Sequence, residues 1–211
     1  MLNLQSKFGQ RLLAIGNWLT ALVSINLVWF AVTLPFWILL VFWLALPSGP
    51  VALVTLMLVL LSAMNFLMPA SQGVFASVIH WQAMDHNTYF KETWQSFLRS
   101  LKQWRFNLIA ALVGTLWVQF FKIAKDQVFL SAALIAGAIL LLMVWLDLVL
   151  AAQYDVAPLH LWLKQPLRFF LVTVIMILLL GVNIELRVIF LLLLCSMSLS
   201  AFCANKLIKV D

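Results

Sequence analysis

The first part of the chain contains a long stretch without a charged side chain. Residues 12–84 read LLAIGNWLTALVSINLVWFAVTLPFWILLVFWLALPSGPVALVTLMLVLLSAMNFLMPASQGVFASVIHWQAM. These 73 residues hold no Asp, Glu, Lys or Arg, and His80 is their only ionisable side chain. Because a helix needs about 20 apolar residues to cross the hydrocarbon core, the stretch is long enough for two crossings. The segment LPSGP at 46–50 is a strong turn signal between them.

The composition of the whole chain points the same way. Hydrophobic residues make up 65% of the 211 positions and charged residues 9%, whereas a soluble domain is about half apolar and about a quarter charged. The apolar excess is therefore expected to face lipid. The net charge of +6 is dispersed between apolar stretches, which favours a role in membrane topology and predicts no nucleic-acid partner.

The hydropathy pattern predicts an all-α protein, a single polytopic transmembrane helical bundle over residues 1–211 with about six spans. A polar stretch at 85–105 and another at 153–168 separate the later spans. The fifth predicted span is short, so a re-entrant hairpin with four full spans is an alternative for this region. The predicted spans are approximately 18–46, 51–81, 106–121, 128–151, 169–180 and 188–204.

The distribution of Lys and Arg predicts the orientation of these spans. On one side of the membrane, the two termini and the stretches at 85–105 and 153–168 carry ten of these cations, against three in the turns on the other side. Basic residues concentrate in cytoplasmic loops. Both termini are therefore expected in the cytoplasm, in a multi-pass arrangement.

Residues 87–105 are predicted to form an amphipathic helix on the cytoplasmic face. Its large apolar side chains recur at spacings of four and three residues, which places them on one helical face, while most of its charged side chains lie elsewhere on the wheel. The helix either lies on the bilayer with its cations near anionic lipid or docks a partner protein. The candidate docking residues are Phe90, Trp94, Phe97, Leu101, Arg99 and Lys102.

Asp147 is the most unusual residue inside a predicted span. A carboxylate in hydrocarbon is costly and suggests either a functional group or a paired one. Asp147 lies about 9 Å by helix rise from Gln153, at the predicted edge of the span. It therefore either reaches interfacial water, pairs with Lys164 or Arg168, or takes part in translocation or a proton relay. The other candidate intramembrane polar residues, which either bond between helices or line a path, are Asn26, Asn65, Gln72 and Gln119.

The ten tryptophans fit the aromatic belts found where spans meet the headgroup layer. Trp29, Trp37 and Trp145 lie deeper and are the ones that a carbohydrate-stacking hypothesis would involve. Phosphate loops, nucleophile elbows and zinc helices are missing from the sequence, and the histidines have no metal-pair spacing. The sequence therefore predicts no enzyme, no cofactor and no metal site.

Three stretches resemble the YesL-like family of bacterial integral membrane proteins, a domain of unknown function. The first is Asn-Leu-Val-Trp at 26–29 with Leu34-Pro35, and the second is Pro69-Ala70 followed by residues 75–79. The third is residues 90–97, which resemble the family's Phe-x-x-Phe-x-x-Ser-Phe helix, and a weaker match surrounds residues 153–155. The resemblance implies a plasma-membrane protein of the kind often encoded beside carbohydrate ABC importers.

Three functions remain open from the sequence. The first is an accessory or regulatory subunit of a carbohydrate ABC importer, whose partners would be membrane lipid and the importer's permease or ATPase subunits. The second is an independent small-solute transporter or channel, which requires a polar path through the bundle. The third is a structural or lipid-interacting membrane protein.

Overall fold

The structure is a computed structural model, and it describes residues 7–84, 91, 94–95, 98–99, 102–124, 126–185 and 196–208. These residues form helices and the connections between them, and no strand occurs among them, so the all-α prediction is confirmed for this part of the chain. The helices are α1 (Lys7–Ala45), α2 (Pro50–Ser62), a π-helical turn (Ala63–Leu67), α3 (Met68–Met84), α4 (Trp104–Ala124), α5 (Val128–Tyr154), α6 (His160–Lys164), α7 (Pro166–Glu185) and α8 (Ser196–Leu207).

Four segments are long and apolar enough to cross a membrane, and they overlap the first four predicted spans. They are Ile15–Ala45, Pro50–Trp81, Trp104–Ala124 and Val128–Tyr154. α7 contributes a shorter apolar segment, Pro166–Gly181. Many large apolar side chains on these helices are more than half exposed. Such a surface is compatible with an integral membrane protein, because lipid covers apolar side chains that a soluble protein has to bury.

The π-helical turn between α2 and α3 follows from Pro69. Proline has no backbone N–H, and its ring clashes with the carbonyl four residues earlier, which here belongs to Asn65. A wider turn relieves this crowding, and the N–H of Met68 accordingly bonds to the carbonyl of Ala63, five residues back. Pro35, in contrast, lies within α1 without a break in the helix.

Side-chain contacts define two ends of the bundle. At the first end, Lys122 lies 5.0 Å from the ring centroid of Trp43, which brings the end of α4 to the end of α1. We call this the turn end, since the short connections after both helices lie there. At the other end, Trp18 packs edge-on against Phe202 with ring centroids 5.6 Å apart, which joins the first part of α1 to α8. We call this the core end.

The main hydrophobic core lies towards the core end. It joins buried side chains from the first half of α1, from α3, from the second half of α5 and from α6, α7 and α8. The aromatic residues among its fully buried members are Trp29, Phe75 and Phe169. The buried side chains of Leu56 and Val59 on α2 are outside this cluster, and α2 packs on α4 and on α1.

Candidate functional site

Asp147 is completely buried, and both of its carboxylate oxygens accept hydrogen bonds from backbone N–H groups. One oxygen accepts from Leu159 at 2.5 Å and the other from Trp162 at 2.8 Å. A carboxyl group that accepts from backbone N–H groups in this way acts as a helix cap. The side chain thus holds the beginning of α6, whose first N–H groups have no partner within so short a helix. The bonding partners are backbone groups rather than Lys164 or Arg168.

The backbone at the start of α6 is strained. Leu159 has φ 64° and ψ −4°, a left-handed conformation that is rare for a large side chain and costs about 1–3 kcal/mol. The conformation aims its N–H at the carboxylate of Asp147. Because a strained backbone persists only where its surroundings enforce it, the bond from Leu159 to Asp147 is the contact that fixes this connection.

Asn26 also accepts hydrogen bonds from backbone N–H groups, in another part of the core. It is completely buried in α1, and its Oδ1 accepts from the backbone N–H groups of Met197 at 2.9 Å and Ser198 at 3.1 Å. These two amides lie in the first turn of α8, where N–H groups need partners from outside the helix. One side-chain oxygen of α1 therefore caps a helix that lies about 170 residues later in the sequence.

Asn65 is the third candidate intramembrane residue whose side chain forms hydrogen bonds within the protein. Its Nδ2 donates to the carbonyl of Leu61 at 2.8 Å, and its Oδ1 accepts from Nδ2 of Asn107 at 2.8 Å. The pair links the π-helical turn to α4. Gln72 and Gln119 are both half-buried, on α3 and α4, and the structure brings neither into these bonding groups.

The deeper tryptophans are packed inside the protein. Trp29 is 1% exposed and donates through Nε1 to the hydroxyl of Ser71 at 3.1 Å. Trp37 donates to the hydroxyl of Thr33 at 3.1 Å and meets Trp29 edge-on, with ring centroids 6.3 Å apart. Their rings thus take part in helix packing, which leaves Trp29 with no face for a sugar ring to stack on.

Four buried polar atoms have no hydrogen-bond partner among the described residues. They are the hydroxyls of Ser62 and Ser77 and the indole N–H groups of Trp145 and Trp162. Trp145 packs edge-on against Phe75, with centroids 6.1 Å apart. Since a buried polar group without a partner is costly, these atoms are the remaining places in the described core where a small polar molecule would find a partner.

The candidate docking segment is exposed wherever the structure describes it. Trp94 is 46% exposed, and the cations Arg99 and Lys102 are also exposed. Towards α4, the guanidinium of Arg105 lies 5.5 Å from the ring centroid of Trp104. This surface therefore carries aromatic rings and cations side by side. Phe90, Phe97 and Leu101 lie outside the described residues.

Groups of His, Cys, Asp and Glu that could hold a metal ion are absent from the described part of the chain. The sequence analysis did not identify Leu159, Trp162 or Asn107 as the partners of the candidate residues. For the first two, the partner is the backbone, which any residue type supplies. A signal did exist in Pro158 and the short LHLWLK segment after it, because a helix start following a proline turn needs a cap.

Comparisons of the chain with protein-family models, with curated proteins and with solved structures give no match. The candidate site is therefore described from the contacts of its own residues. Asp147, Asn26 and Asn65 cap helices or join them, and the exposed basic and aromatic segment lies outside the core.

Proposed function

We propose that the chain is an accessory or regulatory subunit of a membrane transport system, a carbohydrate ABC importer by the resemblance of its sequence motifs. The partners in this proposal are the importer's permease or ATPase subunits. The partner surface lies on the amphipathic helix predicted at residues 87–105, and residues 90–105 of that helix are called the docking segment. The chain itself neither catalyses a reaction nor forms the translocation path.

The exposed face of the docking segment is the observation that carries the proposal. Trp94, Leu98 and Trp104 are each more than two-fifths exposed, and Arg99 and Lys102 lie among them. Tryptophan and arginine dominate the binding energy of protein interfaces. A surface that combines both residue types, next to the beginning of an apolar helix, is suited to a membrane-embedded partner.

The state of the intramembrane polar groups also supports an accessory role. A transporter or proton relay needs polar side chains that are free to meet a substrate. Asp147, Asn26 and Asn65 instead hold backbone or side-chain groups of the protein. Their removal would therefore be expected to loosen the helices rather than to alter a binding step.

The finer topology belongs to the same proposal. We place the chain in the bacterial plasma membrane with six spans, in which α7 and α8 are parts of the fifth and sixth. Both termini are cytoplasmic, so that the docking segment faces the side on which an importer's ATPase subunits bind. The excess of Lys and Arg in the termini and in the stretches at 85–105 and 153–168 supports this orientation.

The test is purification of the tagged chain from its native host in mild detergent, followed by mass spectrometry of the bound proteins. We expect importer subunits in stoichiometric amounts. The double variant Trp94→Ala/Arg99→Gln is expected to recover them at least tenfold less, because the removal of each such contact costs about 1–2 kcal/mol. Phe129→Ala is the control, since Phe129 is an exposed aromatic at the turn end (90% exposed).

Recovery of the chain alone at several detergent strengths would contradict the accessory role. The unpartnered Ser62, Ser77, Trp145 and Trp162 atoms then favour the second candidate function, an independent small-solute transporter. Uptake of radiolabelled oligosaccharides into proteoliposomes would test that function, with the variant Ser77→Ala as the first comparison.

A further inference from the structure

α6 and the beginning of α7 expose large apolar side chains beside cations. Leu163 is 74% exposed and Leu167 is 82% exposed, and Lys164 and Arg168 alternate with them and are exposed as well. On the opposite side of α6, Leu161 is buried in the main core. The segment therefore has one side fixed to the protein and another that presents leucines and positive charge outward.

The described residues supply no carboxylate partner for the cations of this segment. Asp147, which the sequence suggested as a partner for Lys164 or Arg168, uses both oxygens on the N–H groups of Leu159 and Trp162. Nη1 of Arg168 donates to Oε1 of Gln165 at 2.8 Å, a neutral acceptor that leaves the positive charge uncompensated. Within the part of the chain that the structure describes, no ion pair involves Lys164 or Arg168.

The position of the segment between two apolar helices indicates which layer of the membrane surrounds it. It lies between the end of α5 at Tyr154 and the beginning of α7 at Pro166, and both helices are strongly apolar. Connections of this kind lie at the level of the lipid headgroups. There, leucines enter the acyl boundary while lysine and arginine reach up to phosphate.

From these observations we propose that α6 and the beginning of α7 form a binding site for an anionic phospholipid. The ammonium of Lys164 and the guanidinium of Arg168 bind the headgroup phosphate, and the side chains of Leu163 and Leu167 contact the acyl chains. The bonds from α6 to Asp147 keep the segment in place, so the two cations are presented on a fixed backbone. This site lies outside the docking segment at residues 90–105.

The experiment is native mass spectrometry of the full chain in detergent, titrated separately with phosphatidylglycerol and with phosphatidylcholine. Lys164→Gln/Arg168→Gln is the test variant. Lys122→Gln/Lys206→Gln is the matched control, since it removes the same charge from exposed positions on α4 and α8, outside both this segment and the docking segment. Both variants change exposed side chains only, and equal melting temperatures in detergent will show that each has folded.

We expect the unmodified chain to bind phosphatidylglycerol more tightly than phosphatidylcholine. A cation near an anionic lipid surface contributes about fivefold in affinity, so the test variant is expected to lose about 25-fold for phosphatidylglycerol and little for phosphatidylcholine. The control variant is expected to change by less than about twofold, because its cations are not in this site.

Two results would overturn the lipid site. One is equal binding of the two lipids by the unmodified chain, which would mean that charge is not recognised. The other is an equal loss in the test and control variants, which would mean that the attraction is spread over the whole basic surface. Neither result bears on recovery of importer subunits, so this inference and the accessory role are tested separately.

Discussion

The core end and the turn end of the bundle are held together in different ways. At the core end, buried polar side chains bond to backbone N–H groups across the protein, as Asp147 does for α6 and Asn26 for α8. At the turn end, the first half of α5 is largely exposed, with Phe129 at 90%. Its described contacts there are apolar, such as the approach of Trp117 to Gly137.

The difference shows how an apolar chain selects which of its helices pack against each other. Lipid tails are as apolar as leucine, so apolar contacts alone give a membrane helix little preference for one neighbour over another. A buried hydrogen bond does give a preference, because an unpaired N–H in hydrocarbon is costly. The core end therefore has one defined arrangement, whereas the exposed turn end relies on the lipid around it.

Among the polar substitutions, the largest expected effect comes from removing the acceptor at the core end. In Asp147→Ala, two part-buried backbone N–H groups lose their partner at about 1–3 kcal/mol each, and the strained backbone at Leu159 loses a contact that enforces it. We expect the free energy of unfolding to fall by about 3 kcal/mol. The measurement is equilibrium unfolding in mixed micelles by circular dichroism.

Asp147→Asn serves as the matched variant. An amide of the same shape retains one acceptor oxygen but turns its NH2 group towards the second backbone N–H. Its stability should therefore fall between those of the original chain and Asp147→Ala. A stability of Asp147→Ala equal to that of the original chain would show that the carboxylate is not what holds α6.

A smaller effect is expected where α4 joins the π-helical turn. The hydrogen bond between Asn65 and Asn107 is a side-chain pair, and such pairs in membrane proteins contribute about 0.6 kcal/mol on average. We expect a coupling energy of this size in a double-mutant cycle of Asn65→Leu and Asn107→Leu, measured by the same unfolding experiment. Strictly additive effects of the two substitutions would show that the pair contributes nothing.

The sequence predicted the parts of this structure that depend on apolar runs. The uncharged stretch at 12–84 led to two long apolar helical segments, and the runs at 106–121 and 128–151 led to α4 and α5. Such predictions succeed because a helix in lipid needs only length and an apolar surface. α6 was not predicted, because five residues are too few to show a periodic pattern.

The partners of the polar residues could not be read from the sequence. Asn26 bonds to residues 171 and 172 positions away, and only the packing of α1 against α8 creates that contact. Asp147 was expected to reach water, to pair with a cation or to take part in translocation. The sequence could not decide among these alternatives. The decision depends on the left-handed backbone at Leu159, which directs its N–H to the carboxylate of Asp147.

The smallest effect is expected at the turn end. Phe129 is 90% exposed, so Phe129→Ala removes little contact within the chain, and we expect the free energy of unfolding in mixed micelles to change by less than about 0.5 kcal/mol. Phe75→Ala is the control at the core end, where the same substitution empties a site that is 1% exposed and costs about 3–5 kcal/mol. A large loss in Phe129→Ala would mean that another surface covers the turn end, since a side chain that meets only lipid or detergent cannot be worth that much to the fold.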